Sequence, residues 1–481
     1  MESVAEHPAV EIVKEDFSKI FQKHSQKALL QRSEALSARL QRLKKLRQWV
    51  NDNKTAISEA VYKDFRKPAF EADLSETFVV LADVNQAIRQ LTSWARPKKV
   101  SPGFTFLGTT SFVHYEPKGV CLIIAPWNYP FNLAVGPLIS AIAAGNTVIL
   151  KPSELTPATS KLIKRLAREV FDPSEVFVAE GGADVSQALL ELPFNHIFFT
   201  GSTRVGKIVM KAAARHLVSV TLELGGKSPV IIDASADLED TAEKVAWGKL
   251  LNAGQTCVSP DYVFVHQSVK EAFLSLLSKK MEALFTTSNS DFRTSENFAR
   301  IVNAAHFQRL SSAMKEALAE GAQLVFGGKT DESENYVGPA VLTNVPMDST
   351  LMTEEIFGPI LPVFSFTDHQ EVIGFVNQRP KPLSLYVFSK SKEVQRQYRM
   401  ATSAGSVCVN DVVLQFQHPN LPFGGVNESG IGKSHGRYGF IAFSNEKSYL
   451  QQRIGFTSAK LLYPPYTSFK KSFLKLLMKY A

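Results

Sequence analysis

The run Gly119-Val-Cys-Leu-Ile-Ile-Ala125, with Pro126-Trp-Asn128-Tyr-Pro130, an apolar stretch from Leu133 to Ala144 and Thr147-Val-Ile-Leu150 behind it, contains no charged residue and no histidine. Its length alone would suit a membrane span. Pro126, Pro130 and Pro137 interrupt it, however, and Asn128, Asn132 and Asn146 would be costly in lipid. A buried strand, a loop, a helix and a second strand account for it better. Strands that show no polar alternation are covered on both faces, as in a parallel sheet flanked by helices.

The same alternation continues downstream. Helices over 158–171, 185–191 and 205–215 and strands over 176–179 and 196–199 predict a doubly wound sheet. Beyond Cys257, a strand over 262–265 and helices over 269–284 and 297–319 predict a second α/β unit. Upstream, Val13, Phe17, Ile20 and Phe21, then Leu36, Leu40, Leu43, Leu46 and Val50, recur at helical spacing from about residue 10 to 65. Phe70 to Trp94 continues that pattern until Pro97, Pro102 and Gly103, and Thr105 to Pro117 reads as two short strands joined near Gly108. The expected division is 1–222, 223–425 and 426–481, with the switch near Glu223.

A chain of 481 residues suits two or three domains, and 44% hydrophobic with 21% charged residues is the balance of a soluble globular protein. Cys121 and Cys408 lie in apolar strand-like runs, and no CxxC or His/Cys cluster suggests a disulfide framework or a metal site. A reducing, cytoplasmic setting follows, and Met1 to His7 lacks the apolar segment of a signal peptide. The net charge of +8, from 54 basic and 46 acidic residues, is too mild to argue for nucleic acid.

Asn252-Ala-Gly-Gln-Thr-Cys257-Val-Ser-Pro260 sets a cysteine on a bend, and Glu223-Leu-Gly-Gly-Lys227 sets a carboxylate at the end of an apolar strand. A thiol and an acid beside glycines can approach a small molecule without Cβ crowding. Such a pair suits a nucleophile and a group that activates water, although a cysteine by itself is more often a small buried hydrophobe. Phe199-Thr-Gly201-Ser202-Thr203-Arg204-Val205-Gly206 joins a strand to a helix whose first amides could meet a pyrophosphate. Its glycine spacing is not G-x-G-x-x-G, so a nucleotide site and a plain turn stay equally open on the residues alone. Lys151-Pro-Ser-Glu154 follows a strand at the edge where open α/β sheets bind cofactors, with a solvated turn as the alternative.

Glu223-Leu-Gly-Gly-Lys227 and Gly254-Gln-Thr-Cys257 resemble, in order and spacing, the two signature segments of the aldehyde dehydrogenase family, and the resemblance runs over nearly the whole chain. It implies an α/β fold with a Rossmann-type cofactor domain, an α/β catalytic domain and a small β dimerisation arm. It implies NAD or NADP as cofactor, with Lys151 and Glu154 at the adenosine ribose and Gly201, Ser202, Thr203 and Gly206 at the phosphate turn. Val205 would lie on the adenine, Trp127 beside the cofactor, and Glu355 and Phe357 at the nicotinamide ribose. By the same resemblance Cys257 attacks an aldehyde carbonyl, and Asn128 and the Cys257 N–H hold the resulting oxyanion. Hydride passes to the nicotinamide, and Glu223 activates the water that frees the acid.

Three segments resemble the class 3 branch, which holds dimeric enzymes for fatty and aromatic aldehydes: Val258-Ser-Pro-Asp-Tyr262, Ser434 to Phe440 and Tyr463-Pro-Pro-Tyr466. Pro422 to Gly432 is glycine-rich but reads as a structural passage rather than a phosphate loop. In the tail, Phe469, Phe473, Leu476, Leu477 and Tyr480 share one helical face and Lys470, Lys471, Lys475 and Lys479 the other. That pattern suits a helix lying in a membrane interface, and equally one packed on its own subunit or its dimer partner. Two rival readings are an acylating enzyme that passes the thioester to coenzyme A, and a non-catalytic protein on the same scaffold. The presence of Glu223 speaks against the first, and Cys257, Asn128 and Glu223 together speak against the second.

Overall fold

The uncharged stretch folds as its composition dictates. Val120–Ile124 (β1) and Thr147–Lys151 (β2) are fully buried parallel neighbours, paired from Val120 with Thr147 to Ile124 with Lys151, and the Asn132–Ala144 helix crosses between them. Gly145, at φ +93°, ends that helix in the left-handed conformation that glycine adopts without a Cβ clash. Val176–Val178 (β3), His196–Gly201 (β4) and Ser219–Leu224 (β5) complete a parallel sheet in the order β3-β2-β1-β4-β5. The order reverses between β1 and β4, which opens a crevice beyond their carboxyl ends. The Pro126–Pro130 loop, Lys151 and Gly201 all stand at that edge. This computed structural model describes residues 16–101, 106, 108–287, 290–455 and 457–480. Readings that rest on Met1 to His7, Val13, Pro102, Gly103 or Thr105 lie outside them.

The second α/β unit is a seven-stranded sheet built on Pro229–Ile232, Tyr262–His266, Ala340–Thr343, Ile360–Phe366, Ser384–Phe388 and Ser406–Val409. These six run parallel, and Gln323–Gly327 closes one edge antiparallel. Glu223 sits inside β5, so the chain leaves the first sheet after Leu224, two residues past the expected switch. Gly430–Ile431 then returns to pair with β5, opposite Glu223 and Leu222. The segment from Pro422 thus runs from the second unit's core, where Phe423 is buried, to the first sheet.

Three expectations change. The early helical region is three helices, Phe17–Gln31, Leu36–Asp52 and Lys54–Phe65; the next one reaches Val79–Trp94 through a π-helical turn at Asp73–Phe78. The helix expected over 297–319 begins only at Ala304, where the Asn303 side chain caps it. Residues 300–302 are held extended by tertiary bonds, from Arg300 N–H to the Phe65 carbonyl and from Val302 N–H to the Gln255 side chain. Thr110–Pro117 is one strand, not half of a local pair. It lies between Lys98–Lys99 and Ser444–Gln451 in a three-stranded antiparallel sheet.

The first two helices are tied to the parallel sheet through Glu175, just ahead of β3. Its carboxylate accepts from Gln31 at 3.0 Å and from Arg42 at 2.7 and 3.0 Å, with the Lys27 ammonium at 3.1 Å. Burial pushes the Glu175 pKa up, and the two cations outweigh it, leaving the group below its ordinary 4.5. A depressed carboxylate stabilises the fold above its unfolded pKa, and that contribution fades as pH falls through the folded value. Glu175→Gln is therefore expected to lower stability by about 2 kcal/mol at pH 7. Denaturant titrations should show the gap to the wild type closing below pH 4.5, the group's ordinary value.

Candidate active site

Cys257 follows three consecutive left-handed residues, Asn252 at φ +55°, Ala253 at +52° and Gly254 at +75°. Each non-glycine residue in that region costs roughly 1–2 kcal/mol, so the surroundings must hold the run. The Asn252 N–H donates to the buried Glu71 carboxylate. The Asn252 side-chain amide bridges the carbonyls of Asn128 (2.8 Å) and Gln255 (3.1 Å). Gln255 answers with its own amide to the carbonyls of Asn252 and Arg300, each at 3.0 Å. At Gly254 a Cβ would overlap the Gly358 carbonyl, so two backbones touch there and no side chain fits.

Asn128 approaches from the loop after β1. It is 3% exposed, and its amide donates to the Gln255 carbonyl at 3.0 Å. That is one acceptor for two amide hydrogens, which leaves the second available to an oxygen near Cys257. The loop itself is pinned by Lys67, which is fully buried. The Lys67 ammonium bonds Glu76 at 2.8 Å and the Asn128 carbonyl at 3.3 Å, and lies 3.9 Å from the centre of the Tyr129 ring. Glu76 in turn accepts from the Asn132 N–H at 2.8 Å, and the Tyr129 hydroxyl meets that of Thr256 at 2.6 Å. The loop after β1 and the cysteine turn are thereby cross-linked.

Electrostatics oppose a resting thiolate. Burial pushes the Cys257 thiol well up, and the charges of Glu355 and then Glu223 add to it; the N–H groups of Cys257 and Val258 act in the opposite sense. Glu223 is 5% exposed on β5, and its carboxylate accepts from the Ser434 hydroxyl. Burial raises its pKa to about 7 against the Ser434 bond and the Lys433 charge. A base poised there matches proton transfer at neutral pH.

The crevice side carries the remaining predicted residues. Gly201 ends β4, where a Cβ would press the Phe199 ring at 2.6 Å, and the Ser202 hydroxyl caps the Thr203–Ala214 helix. The Thr203 hydroxyl is taken by the Glu428 carbonyl at 2.9 Å. Gly206 serves packing: a Cβ there would meet Leu224 at 2.6 Å, so the helix lies close on β5. Val205 is half-buried against the same layer. Lys151, on β2, pairs with Glu154 at 2.5 Å. Trp127 lies edge-on to Phe357 at 5.3 Å, and Phe357 holds a left-handed φ of +47°. Glu355 accepts from the Gly226 N–H, and burial followed by the Asp261 charge raises it to about 8. A Cβ on Gly225 would overlap that carboxylate. Glycine backbone at Gly201 and Gly225 and a capped helix start fit a dinucleotide.

Several contributors escaped sequence reasoning. Lys227 binds the Asp261 carboxylate and donates to the carbonyls of Leu351 (2.7 Å) and Glu354 (2.8 Å). Asp261 accepts from the Ile356 N–H at 2.9 Å, and Arg309 donates to the Ile356 carbonyl at 2.8 Å. These three fix the Glu355–Phe357 turn. Lys227 closes the Glu223 motif and Asp261 follows Pro260, so a reading that asked what each motif's last charge holds could have found both. Lys67, Glu71 and Glu76 lie far away in sequence and carry no such signal.

Comparison with known proteins gives a uniform result. The model of the family described as "Aldehyde dehydrogenase family" matches residues 8–449. A relative named 4,4'-diaponeurosporen-aldehyde dehydrogenase, from Staphylococcus aureus, is 44% identical over 91% of this chain and 94% of its own length. Aldehyde dehydrogenase family 3 member B1 of Rattus norvegicus is 43% identical over 91% of this chain and 92% of its own. A solved structure described as the substrate-bound state of Staphylococcus aureus AldH superposes with a TM-score of 0.92 at 42% identity, covering 96% of this chain and 99% of that one.

Because two carboxylates raise the Cys257 thiol, neutralising either should favour the thiolate. Glu355→Gln and Glu223→Gln are each expected to speed iodoacetamide alkylation of Cys257 in cofactor-free protein several-fold at pH 9, where both carboxylates are ionised, Glu355→Gln the more. Peptide mass mapping reads the rate, and equal rates in all three proteins would mean that the charges do not reach the sulfur.

Proposed function

Because this chain belongs to the aldehyde dehydrogenase family and groups with its class 3 members, we propose that Cys257, Asn128 and Glu223 carry the family's NAD(P)-dependent oxidation of an aldehyde to its acid. We assign the substrate to medium- or long-chain aliphatic or aromatic aldehydes. The observation that carries the reading is the convergence of three groups: an amide bonded two residues before Cys257, and an acid whose charge reaches that sulfur.

The Cys257 sulfur, as thiolate, adds to the carbonyl carbon. The free hydrogen of the Asn128 amide and the Cys257 N–H meet the oxygen, and one such donor is worth about 3 kcal/mol in the transition state. Bound NAD(P)⁺ supplies the hydride acceptor that leaves a thioester on Cys257. Glu223 turns from Ser434, takes a proton from water and directs its oxygen to the acyl carbon; the acid departs and the thiolate is regenerated. Trp127, Lys151, Glu154, Gly201, Ser202, Thr203, Val205, Gly206, Glu355 and Phe357 form the cofactor crevice, the last two braced by Lys227, Asp261 and Arg309. Residues 1–222 form the cofactor unit, 223–425 the catalytic unit, and 426–481 the arm and tail. The acylating alternative lacks support, since it has no use for an acid at position 223.

The 444–451 strand, exposed beyond Ser444 on the edge of the small sheet, suits a homodimer contact. No helix among the described residues is long and apolar enough to cross a membrane. The Ser468–Tyr480 helix leaves Phe469, Leu476 and Met478 exposed beside its lysines, which supports peripheral contact with an anionic membrane at about 1 kcal/mol per lysine.

Cys257→Ala should abolish aldehyde oxidation and ester hydrolysis while leaving cofactor binding intact, as measured by fluorescence titration; residual turnover refutes the nucleophile. Glu223→Gln should still release one burst of reduced cofactor per site and then turn over at least tenfold more slowly. Removing residues 466–481 should abolish co-sedimentation with anionic liposomes and weaken oxidation of long-chain more than short-chain aldehydes. Equal loss across chain lengths would detach the tail from substrate handling.

A further inference from the structure

Behind Glu223 lies a small cavity of about 30 Å³, partly open to solvent, between the Val79–Trp94 helix, the Asn132–Ala144 helix and the start of the Gly436–Ala442 helix. Its polar lining is Glu223, Ser434, His435, Asn132, Ser140 and Asp83. Asp83 is the unexplained member. Its partly exposed side chain has neither a hydrogen bond nor an ion pair among the described residues, and its Oδ2 lies near Asn132 Oδ1 beside Gly136. A Cβ on Gly136 would sit 3.8 Å from Asp83 Oδ2 and 3.6 Å from Asn132 Oδ1, so the absent side chain keeps that corner clear. A carboxylate without a protein partner is solvated by water, and a cavity of this size holds about one or two waters against its polar lining.

We propose that Asp83 receives, across this cavity, the proton that Glu223 takes from the deacylating water, with the Ser434 hydroxyl and cavity water as the path. The inference rests on the general-base role proposed for Glu223. When water attacks the thioester, one O–H bond breaks, the oxygen bonds to the acyl carbon, the C–S bond breaks and Glu223 holds the proton. Glu223 must lose that proton before the next turnover. The departing acid and a bound cofactor would stand on its front, whereas on turning back to its resting position its carboxylate meets Ser434 on the cavity side. Glu223 passes the proton to the Ser434 oxygen as Ser434 gives its own to water, and Asp83 is protonated in turn. Solvent removes the proton at the open side, so one proton leaves per thioester and no electrons move.

The surrounding charges agree with this path. Burial lifts Asp83 and Glu223 each to about 7, so transfer between them is close to thermoneutral. Lys433 is the cation that acts on Glu223. His435 is driven down to about 4 by burial and is neutral at working pH. The Asn132–Ala144 helix brings no titratable group to the cavity, and the Arg437 guanidinium is directed to the Tyr115 hydroxyl.

The test compares wild type, Asp83→Asn, Asp83→Glu, Ser434→Ala and the Asp83→Asn/Ser434→Ala double variant as full-length enzymes. The burst of reduced cofactor, steady-state turnover from pH 6 to 9, and acyl-enzyme lifetime by rapid quench and intact mass are read for each. Asp83→Asn should keep the burst and lose about tenfold in steady-state turnover at pH 7, with recovery on adding imidazole, a diffusible base that takes the proton at the cavity's open side. Asp83→Glu should retain turnover, and the double variant should be no slower than Ser434→Ala alone. Wild-type turnover of Asp83→Asn, or a defect that imidazole leaves untouched, overturns the relay. A protein in which Glu223→Gln is impaired and Asp83→Asn is not loses only the relay, whereas normal turnover of Glu223→Gln removes the base itself.

Discussion

The structure depends on keeping Asn252, Ala253 and Gly254 in a conformation that two of the three residues resist. Local bonds between Asn252 and Gln255 supply only part of the stabilisation. The rest comes from Asn252, whose side chain also joins the carbonyl of Asn128 while its N–H meets Glu71, and from Gln255, whose amide also grips the Arg300 carbonyl. Release any of these and the cysteine turn can relax away from the loop that carries Asn128. Strain held by tertiary contacts in this way is expected where side chains must stand at fixed separation for chemistry.

A second constraint acts from the other side. Gly254 rests against the Gly358 carbonyl, and the turn before Gly358 is held by Lys227, Asp261 and Arg309. Lys227 is only four residues from Glu223 in sequence. One short passage after β5 thus sets the acid on the sheet edge and braces the Glu355–Phe357 turn against the cysteine. The two sheets meet over this passage. A charged side chain buried for bracing is stable there because every donor it brings finds an oxygen.

Much of this was legible beforehand. Uninterrupted apolar strands at 120–124 and 147–151 leave few alternatives to a parallel sheet, because a half-exposed strand would alternate. Glycine at 201, 225 and 254 marked places where backbone comes close to something, and each proves to have no room for a Cβ. The motifs carried the family through resemblance, which the family model and the relatives support. Illegible were Lys67, Glu71, Glu76 and Arg309, whose contacts to the site reach segments tens of positions or more away. Periodicity reports which face of an element is buried and says nothing of which distant carbonyl an ammonium will find. The late start of the helix at Ala304 is the same kind of failure: Val302 prefers the Gln255 side chain to a helical turn.

The amino-acid sequence by itself determined the class of fold and the ends of strands at which glycine and polar side chains gather, and these follow from local rules of burial and turn geometry. The thiol, the amide and the acid were singled out as candidates through the resemblance of their motifs to the family. Tertiary structure alone decided that Glu223 rests on Ser434 beside a polar cavity, that Thr110–Pro117 pairs with a strand more than three hundred residues onward, and that Lys67 is fully buried under the active-site loop. Each is a contact between segments far apart in the chain, and its energy exists only once folding has brought both partners out of water.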